Sequence, residues 1–235
     1  MGKKIKRVSA SSVRKELTEA RKRWGWTPSD IISLLRGGGS SSKGSSYERE
    51  LCKRLSLWWT GGKRDDVFWR SSGSGARAKV RGRAGRDTAG QHGDMAATDP
   101  IGKPLIDLFT VEMKRGYSEH TIQDLIDKPK AGGVQVFEDF LAQTIESYEQ
   151  AGSRSWMLIT RRDRREALVW MPWPTFQSLR NRGAFPEGIP ERFMRFAASC
   201  RTKDTGITYT VNVCGMTLDA FLETPPGIVA SLQGR

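Results

Sequence analysis

Residues 93–116 read GDMAATDPIGKPLIDLFTVEMKRG, and this stretch organises the rest of the chain. Two short apolar runs flank a segment with two prolines and a glycine, which predicts a β-hairpin. In the second strand Glu112 and Lys114 are two residues apart, so the pleat places both side chains on one face. Asp94, near the start of the first strand, reaches that face if the register of the hairpin allows it.

Two converging carboxylates with a neighbouring amine are unusual for a purely structural surface. The carboxylates repel each other, and a bound divalent cation such as Mg²⁺ would relieve that repulsion. The alternatives are that Glu112 and Lys114 form an exposed ion pair and that Gly93-Asp94 is an ordinary turn. The short Glu-x-Lys pattern does not separate these interpretations, so the rest of the chain must decide.

Composition indicates a folded protein with a polyanionic partner. The 235 residues are 37% hydrophobic and include eight tryptophans, which is enough for a packed core. The formal net charge of +13 favours nucleic acid as the partner, with an anionic membrane surface as second choice. No stretch approaches the roughly 18 apolar residues of a membrane span. Three scattered cysteines and a basic N-terminus without an apolar run predict reduced thiols and a cytoplasmic protein.

A basic extension of residues 1–43 is predicted to precede the main domain. Helical periodicity over residues 12–24 predicts an amphipathic helix, and Thr27 followed by Pro28 predicts the start of a second helix. Nine of the first 23 residues are Lys or Arg, so this two-helix unit could contact DNA or could pack as a cap with a solvated basic face. The Gly/Ser-rich residues 37–46 are typical of a linker.

A further helix is predicted to begin at Ser45. Its buried stripe consists of Tyr47, Leu51, Leu55 and Trp58. Glu48 lies three residues after Ser45, which is the spacing of a capping box. The sequence leaves open whether Glu48 closes the helix N-terminus or acts as a third acidic ligand.

A basic loop is predicted to follow the short strand at residues 67–70. It contains no acidic residue between Arg70 and Arg86 and has glycines throughout, which suits a segment that follows DNA phosphates. A solvated loop is the alternative, but so many like charges would repel one another without a counter-charge. The DNA-binding residues predicted from this loop are Arg70, Arg77, Lys79, Arg81, Arg83 and Arg86.

The remaining pattern predicts an α/β domain with a mixed sheet covered by helices. Helices are predicted at residues 119–128, 136–150, 175–182 and 217–222. Strands are predicted at residues 155–160, 167–171 and 207–213. Residues 172–235 are interpreted as a C-terminal α/β elaboration of the core.

The chain resembles the PD-(D/E)XK nuclease superfamily, whose signature is an Asp followed on the next strand by Glu-x-Lys. More narrowly, it is similar to the archaeal-type Holliday junction resolvases over residues 44–171. Residues 44–51 match their Gly-x-x-x-Glu-Arg-x-Leu motif, and residues 70–75 match their Arg-x-x-x-Ser-Gly motif. The resemblance implies a restriction-endonuclease-like fold.

The resemblance also implies an active site. Glu48, Asp94 and Glu112 would gather Mg²⁺, for which Mn²⁺ could substitute, and Lys114 would orient the attacking water or stabilise charge on the phosphate. Arg70 and Ser74 would lie beside the scissile strand. The expected function is a metal-dependent DNA endonuclease acting on branched DNA, working as a homodimer because symmetric incision needs two active sites. The alternatives are a restriction-like or phage recombination nuclease on duplex or flapped DNA, and a non-catalytic DNA-binding protein with the same fold.

Overall fold

The computed structural model describes residues 40–71, 92–127, 134–185 and 187–232, with side chains from residue 44 onwards. The chain divides into two units, residues 1–45 and 46–235. The described elements belong to the second unit, apart from the first residues of the helix that leads into it. The predicted N-terminal helices of residues 12–36 lie outside the described residues.

Six α-helices and seven strands are described, together with two short 3₁₀-helices, Pro100–Gly102 and Ile122–Leu125. The α-helices are α1 (Ser40–Trp59), α2 (Lys103–Leu108), α3 (Val136–Ala151), α4 (Trp173–Asn181), α5 (Leu218–Leu222) and α6 (Pro226–Ser231). The strands are β1 (Phe68–Arg70), β2 (Met95–Ala97), β3 (Phe109–Arg115), β4 (Ser155–Arg161), β5 (Ala167–Pro172), β6 (Phe193–Arg201) and β7 (Thr208–Thr217).

The five-stranded sheet has the order β3-β4-β5-β7-β6. β3 and β4 pair in parallel, and the other neighbours pair antiparallel. The parallel pair is connected through α3, as parallel neighbours require a crossover. The predicted α/β architecture, a mixed sheet flanked by helices, is confirmed.

The predicted hairpin of residues 93–116 is wrong. β2 pairs antiparallel with β1 in a separate two-stranded sheet, and β3 pairs with β4. Between them, the segment expected to be a loop and the beginning of a strand forms the helix α2. Pro104 lies in the first turn of α2, where its missing N–H costs nothing, and Leu105 and Leu108 bury one side of the helix.

The helix α1 begins at Ser40, five residues before the predicted start. The second half of the predicted linker is therefore helical, and Ser45 is not at a helix N-terminus, so the capping-box interpretation of Glu48 is wrong. The buried stripe is confirmed, because Tyr47, Leu51 and Leu55 are buried and Trp58 packs against them.

Two apolar clusters cover the two faces of the five-stranded sheet. On β4, Met157 and Ile159 belong to the cluster that includes α1, while Trp156 and Leu158 belong to the cluster under α3. This alternation follows from the period of two along a strand. The side chains of β3 that face α3 therefore lie on the opposite face from α1's apolar stripe.

Several boundaries differ from those expected. The helix predicted at residues 119–128 is reduced to one 3₁₀ turn, Ile122–Leu125. β6 and α6 were not predicted. Within the described residues, no helix combines the length and the apolar character that crossing a bilayer requires. The three cysteines, Cys52, Cys200 and Cys214, are buried free thiols.

Candidate active site

The strand β3 presents an acid and an amine side by side, as predicted from the pleat. The Lys114 Nζ lies 3.1 Å from the Glu112 Oε2, and the Glu112 side chain is buried. Val111 and Met113, which alternate with them, belong to the apolar cluster on the other face. The strand thus uses one face for packing and the other for a polar site.

Asp94 reaches this site although no hairpin forms. Its backbone N–H donates to the Val111 carbonyl at 2.7 Å, and its Oδ2 accepts the Met113 N–H at 2.8 Å. Residues 93 and 94 therefore lie along the open edge of β3. The close approach needs Gly93, whose φ is +77° and whose position leaves no room for a Cβ, which would lie 2.7 Å from the Val111 oxygen.

The electrostatics of the site are dominated by buried negative charge. Burial, and then the neighbouring Glu112, raise the pKa of Asp94 well above its ordinary value, and Lys114 opposes this only in part. Burial lowers the pKa of Lys114, but Glu112 and Asp94 outweigh it and raise that pKa overall. The amine therefore stays charged, and one positive charge faces two carboxylates.

The helix α3 contributes a residue that the sequence did not single out. The Ser147 hydroxyl donates to the Glu112 Oε1 at 2.7 Å and is buried. A signal was present, because Ser147 follows the buried Phe140 and Thr144 at spacings of seven and three and so lies on the same inward stripe. This bond fixes one oxygen of Glu112, while Lys114 contacts the other.

Glu48 lies beside this site and is bound to Arg70. The Arg70 Nε donates to the Glu48 Oε2, and both side chains are largely shielded from solvent. The charge of Glu48 also contributes to the raised pKa of Asp94. Three acids and two cations that are far apart in sequence are thus within electrostatic range of one another.

The donor set fits a hard divalent cation. Carboxylate oxygens are the ligands that Mg²⁺ prefers, and this ion usually takes only one or two of them and keeps several waters or substrate phosphates. Two buried carboxylates whose repulsion is only partly compensated match this requirement. In the part of the chain that the structure describes, no group of three or more His, Cys, Asp or Glu side chains is arranged to hold a metal ion. Asp94 and Glu112 are the candidate ligands, and Glu48 is held near them by its ion pair with Arg70.

Two other carboxylates in the stretch of residues 93–116, Asp99 and Asp107, have structural roles. Asp107 is on α2, where it binds the Lys103 Nζ at 2.6 Å on the surface. The predicted hairpin would instead have placed Asp107 on a strand. Asp99 caps the 3₁₀-helix Pro100–Gly102 and pairs with Arg64.

Most of the predicted DNA-binding residues lie outside the described residues. This applies to Ser74, Arg77, Lys79, Arg81, Arg83 and Arg86. Arg70 is described, at the end of β1, bound to Glu48. Ser71, next to it, donates from its hydroxyl to the Gly93 carbonyl at 2.6 Å and so joins the end of β1 to the residue before Asp94.

The family of the chain follows from its sequence match. A family model described as "Phage putative PDDEXK endonuclease" matches residues 39–226. The chain belongs to this family. The match confirms the PD-(D/E)XK superfamily and the restriction-endonuclease-like fold, and its range includes Asp94 and the Glu112-Met113-Lys114 triplet. No curated protein and no solved structure matches the chain.

Membership of this endonuclease family makes the protein a nuclease, a hydrolase whose substrate is DNA. The match also runs well beyond Pro172, to residue 226, so α4, β6, β7 and α5 are part of the family's shared region. The narrower resemblance to archaeal-type resolvases stays a prediction, because the matched family is a phage one.

Proposed function

We propose that this protein is a Mg²⁺-dependent DNA endonuclease whose active site is formed by Asp94, Glu112 and Lys114, with Mn²⁺ able to replace Mg²⁺. The observation that carries the proposal is the convergence of these three side chains in one shielded site at the edge of β3. Such a concentration of buried charge is costly for folding and is typical of sites that perform chemistry.

The carboxylates of Asp94 and Glu112 hold the cation in this proposal. The bound ion would acidify a water molecule and neutralise charge on the phosphate undergoing hydrolysis. The Met113 N–H and the Ser147 hydroxyl each fix one carboxylate oxygen, which limits the directions in which the remaining lone pairs point. The protein therefore supplies a preorganised pair of ligands and does not have to order them on binding.

Lys114 acts on the reacting groups. Its amine is kept protonated by the two carboxylates, so it is a fixed positive charge that donates hydrogen bonds. It would orient the attacking water or bind a phosphate oxygen on which negative charge increases. Glu48, the third acid of the proposal, has a positioning role through Arg70, whose guanidinium would contact the scissile strand.

The +13 net charge supports DNA as the molecule that the protein binds, because basic side chains gain affinity from the phosphates. Arg70, together with the arginine-rich residues 77–86, would contact the phosphates of the strand that is cut. Branched DNA is the proposed substrate form, on the resemblance of residues 44–51 and 70–75 to the resolvase motifs. A symmetric two-strand cut of a junction requires a C₂ homodimer, which is part of this proposal.

The test compares two active-site variants with two matched surface variants. Glu112→Ala and Lys114→Ala should each lower Mg²⁺-dependent nicking by roughly 100-fold or more, the scale of removing one preorganised charge, while DNA binding persists. Asp107→Ala and Lys103→Ala remove the same chemical groups from an exposed ion pair on α2 and should keep full activity. Undiminished nicking by either active-site variant would refute the proposed site.

The substrate form is tested in the same assay with four-way junction, flapped, single-stranded and linear duplex DNA of one sequence. Paired cuts on opposite strands of the junction would support the branched-DNA proposal, and equal cutting of the linear duplex would instead support a restriction-like or recombination nuclease. Binding without cleavage of every substrate, in Mg²⁺ and in Mn²⁺, would identify a non-catalytic DNA-binding protein.

A further inference from the structure

A cavity of about 560 Å³ opens beside Lys114, on the α3 face of the sheet. Its wall is made by the end of β3, the turn after it, α3, and the turn between β4 and β5. The volume lies within the range of small-ligand pockets. Neither Asp94 nor Glu112 lines this cavity. Lys114 belongs both to the cavity wall and to the candidate active site.

The floor of the cavity is aromatic. Phe137 and Trp170 meet edge to face with their ring centroids 5.0 Å apart, and Tyr117 meets Phe140 in the same way at 4.8 Å. The indole of Trp170 is held in place by its N–H, which donates to the Thr160 hydroxyl at 2.8 Å. The orientation of these rings is therefore already set, and because Trp170 and Phe140 are buried, Tyr117 is the ring of the four with the most exposed surface.

Tyr117 stands at the mouth of the cavity in an unusual conformation. Its φ is +58°, in the left-handed region that bulky residues seldom adopt, and 49% of its surface is exposed. It directly follows Gly116 and lies three residues after Lys114. The backbone thus holds an aromatic ring in solvent within a few residues of the amine proposed to act on the scissile phosphate. Such conformations persist at functional sites.

The rim of the cavity is strongly basic. The lining contains six Lys or Arg side chains and one carboxylate, Glu166. Arg192 is paired with Glu166, and Arg161 is paired with Glu50. Further basic side chains lie on the turn between β4 and β5. There, Arg164 and Arg165 are exposed and have no ion-pair partner among the residues that the structure describes.

We infer that this cavity binds one unpaired nucleotide of the DNA substrate, immediately next to the phosphate that is cut. Aromatic faces beside free cations are the combination that binds single-stranded nucleic acid, because the base stacks on a ring while its phosphate meets a positive charge. A base within a duplex has both faces covered by its neighbours and cannot enter. The inference deepens the proposed function and rests on it: among branched substrates it selects those, such as a flap, that have an unpaired nucleotide at the cleavage site, over a four-way junction whose bases are all paired.

The binding test uses an oligonucleotide duplex with a single-stranded flap that carries 2-aminopurine at its first unpaired position. Fluorescence of this base falls when it stacks, so titration with the full-length protein in EDTA reports stacking without any cleavage. We expect saturable quenching for the flap and none for a fully paired duplex that carries the same base. Quenching of free 2-aminopurine nucleotide at the same protein concentrations would overturn the inference in favour of a small-molecule site.

Variants locate the effect. Tyr117→Ala should remove most of the quenching and weaken flap binding by roughly fivefold or more, the scale of losing one base–aromatic stack. Tyr117→Phe should behave as the wild type. Arg164→Glu changes an exposed turn and should weaken flap binding independently of any effect of the tyrosine change on folding. Arg180→Ala, an exposed arginine on α4 away from the cavity, is the matched control.

The outcomes separate this inference from the proposed function. Flap quenching that depends on Tyr117, together with no cleavage in Mg²⁺, would support the cavity and refute the nuclease proposal. Mg²⁺-dependent nicking with equal binding of flap and duplex, or with full quenching by both Tyr117→Ala and Arg164→Glu, would refute the cavity and leave the nuclease proposal standing.

Discussion

Asp94 combines two demands that conflict in the metal-free protein. It is 8% exposed and its carboxylate faces Glu112, so its charged form is destabilised by burial and by repulsion. At the same time its backbone and its side chain are both bonded to β3, so it cannot turn away. The residue is therefore held in place at a cost to stability, which a cation bound as proposed would offset.

The first prediction concerns this charge. Asp94→Asn should raise the melting temperature of the protein in EDTA at pH 8, by roughly 2–4 °C if about 1 kcal/mol is recovered. An amide can still accept the Met113 N–H bond, so the change removes the charge and keeps the shape. The measurement is thermal unfolding with and without Mg²⁺, and Mg²⁺ should stabilise the wild type but not the variant.

The pH dependence of this difference has a defined sign. Because the pKa of Asp94 is raised in the folded state, its favourable contribution is full below its unfolded pKa and is lost as pH rises through the folded pKa. The stability gained by Asp94→Asn should therefore shrink as the pH is lowered from 8 towards 4. A difference that is constant over this range would contradict the assignment.

For single residues, the sequence correctly predicted which side chains share a face of β3. Glu112 and Lys114 share a face because strands have a period of two, and this holds whatever the strand pairs with. The bond from Ser147 could not be predicted, since it depends on which turn of α3 lies over β3. The ion pair between Glu48 and Arg70 joins α1 to β1 and likewise depends on tertiary packing.

The elements around the site show why the hairpin prediction was wrong although Asp94 still lies beside Glu112. The prolines that suggested a turn instead begin short helical segments, since Pro100 starts the 3₁₀-helix and Pro104 lies in the first turn of α2. β2 then pairs with β1 and forms no ladder with β3, and the residues before β2 are hydrogen-bonded to β3. Asp94 is in those residues, so it meets Glu112 without strand pairing.

The second prediction belongs to this junction of elements. Gly93→Ala should destabilise the protein by about 1–3 kcal/mol and lower nicking at least tenfold, because the new Cβ would meet the Val111 oxygen and displace Asp94. Gly152→Ala is the matched control. It has a similar φ of +67° at the end of α3 but nothing near its Cβ position, so it carries the backbone strain without the clash.

Urea unfolding and nicking rates measure the two effects. Equal activity of the two glycine variants would show that the approach of residue 93 to β3 does not matter for catalysis.

The strand β6 illustrates what periodicity cannot detect. It lies at the edge of the sheet and its residues, FMRFAASCR, are largely exposed on both faces over their first half. An edge strand that contacts the core mainly through its second half, where Ala198 and Cys200 are buried, has little reason to alternate apolar and polar residues in its first half. β4 and β5, which are inside the sheet and packed on both faces, were predicted to within one residue at their ends.

The whole molecule divides its charge unevenly along the sequence. Residues 1–38, which precede the family match, contain ten Lys or Arg and three Asp or Glu, so they carry about half of the +13 net charge. The side chains proposed to be catalytic all lie in the unit of residues 46–235. We expect the first segment to contribute affinity for DNA and the second to contain the chemistry.

The third prediction follows from that division. Deleting residues 1–38 should weaken DNA binding and flatten the dependence of log affinity on log salt, because fewer counterions are released. Nicking at saturating protein should persist. Binding measured by anisotropy at several salt concentrations checks the first point and single-turnover nicking the second. An unchanged salt dependence would show that this segment does not meet the phosphates.

The hydrogen bonds between Asp94 and β3 also affect how readily the protein aggregates. β3 is the outermost strand of its sheet, and its Val111 carbonyl and Met113 N–H, both on the outer side, are taken up by Asp94. Because these two groups are already hydrogen-bonded to Asp94, they are not available to pair with a strand of another molecule, which is the route by which open sheet edges start to aggregate. An inactive enzyme for crystallisation with DNA is therefore better made with asparagine at this position than with alanine, which would leave the Met113 N–H open to a neighbouring chain.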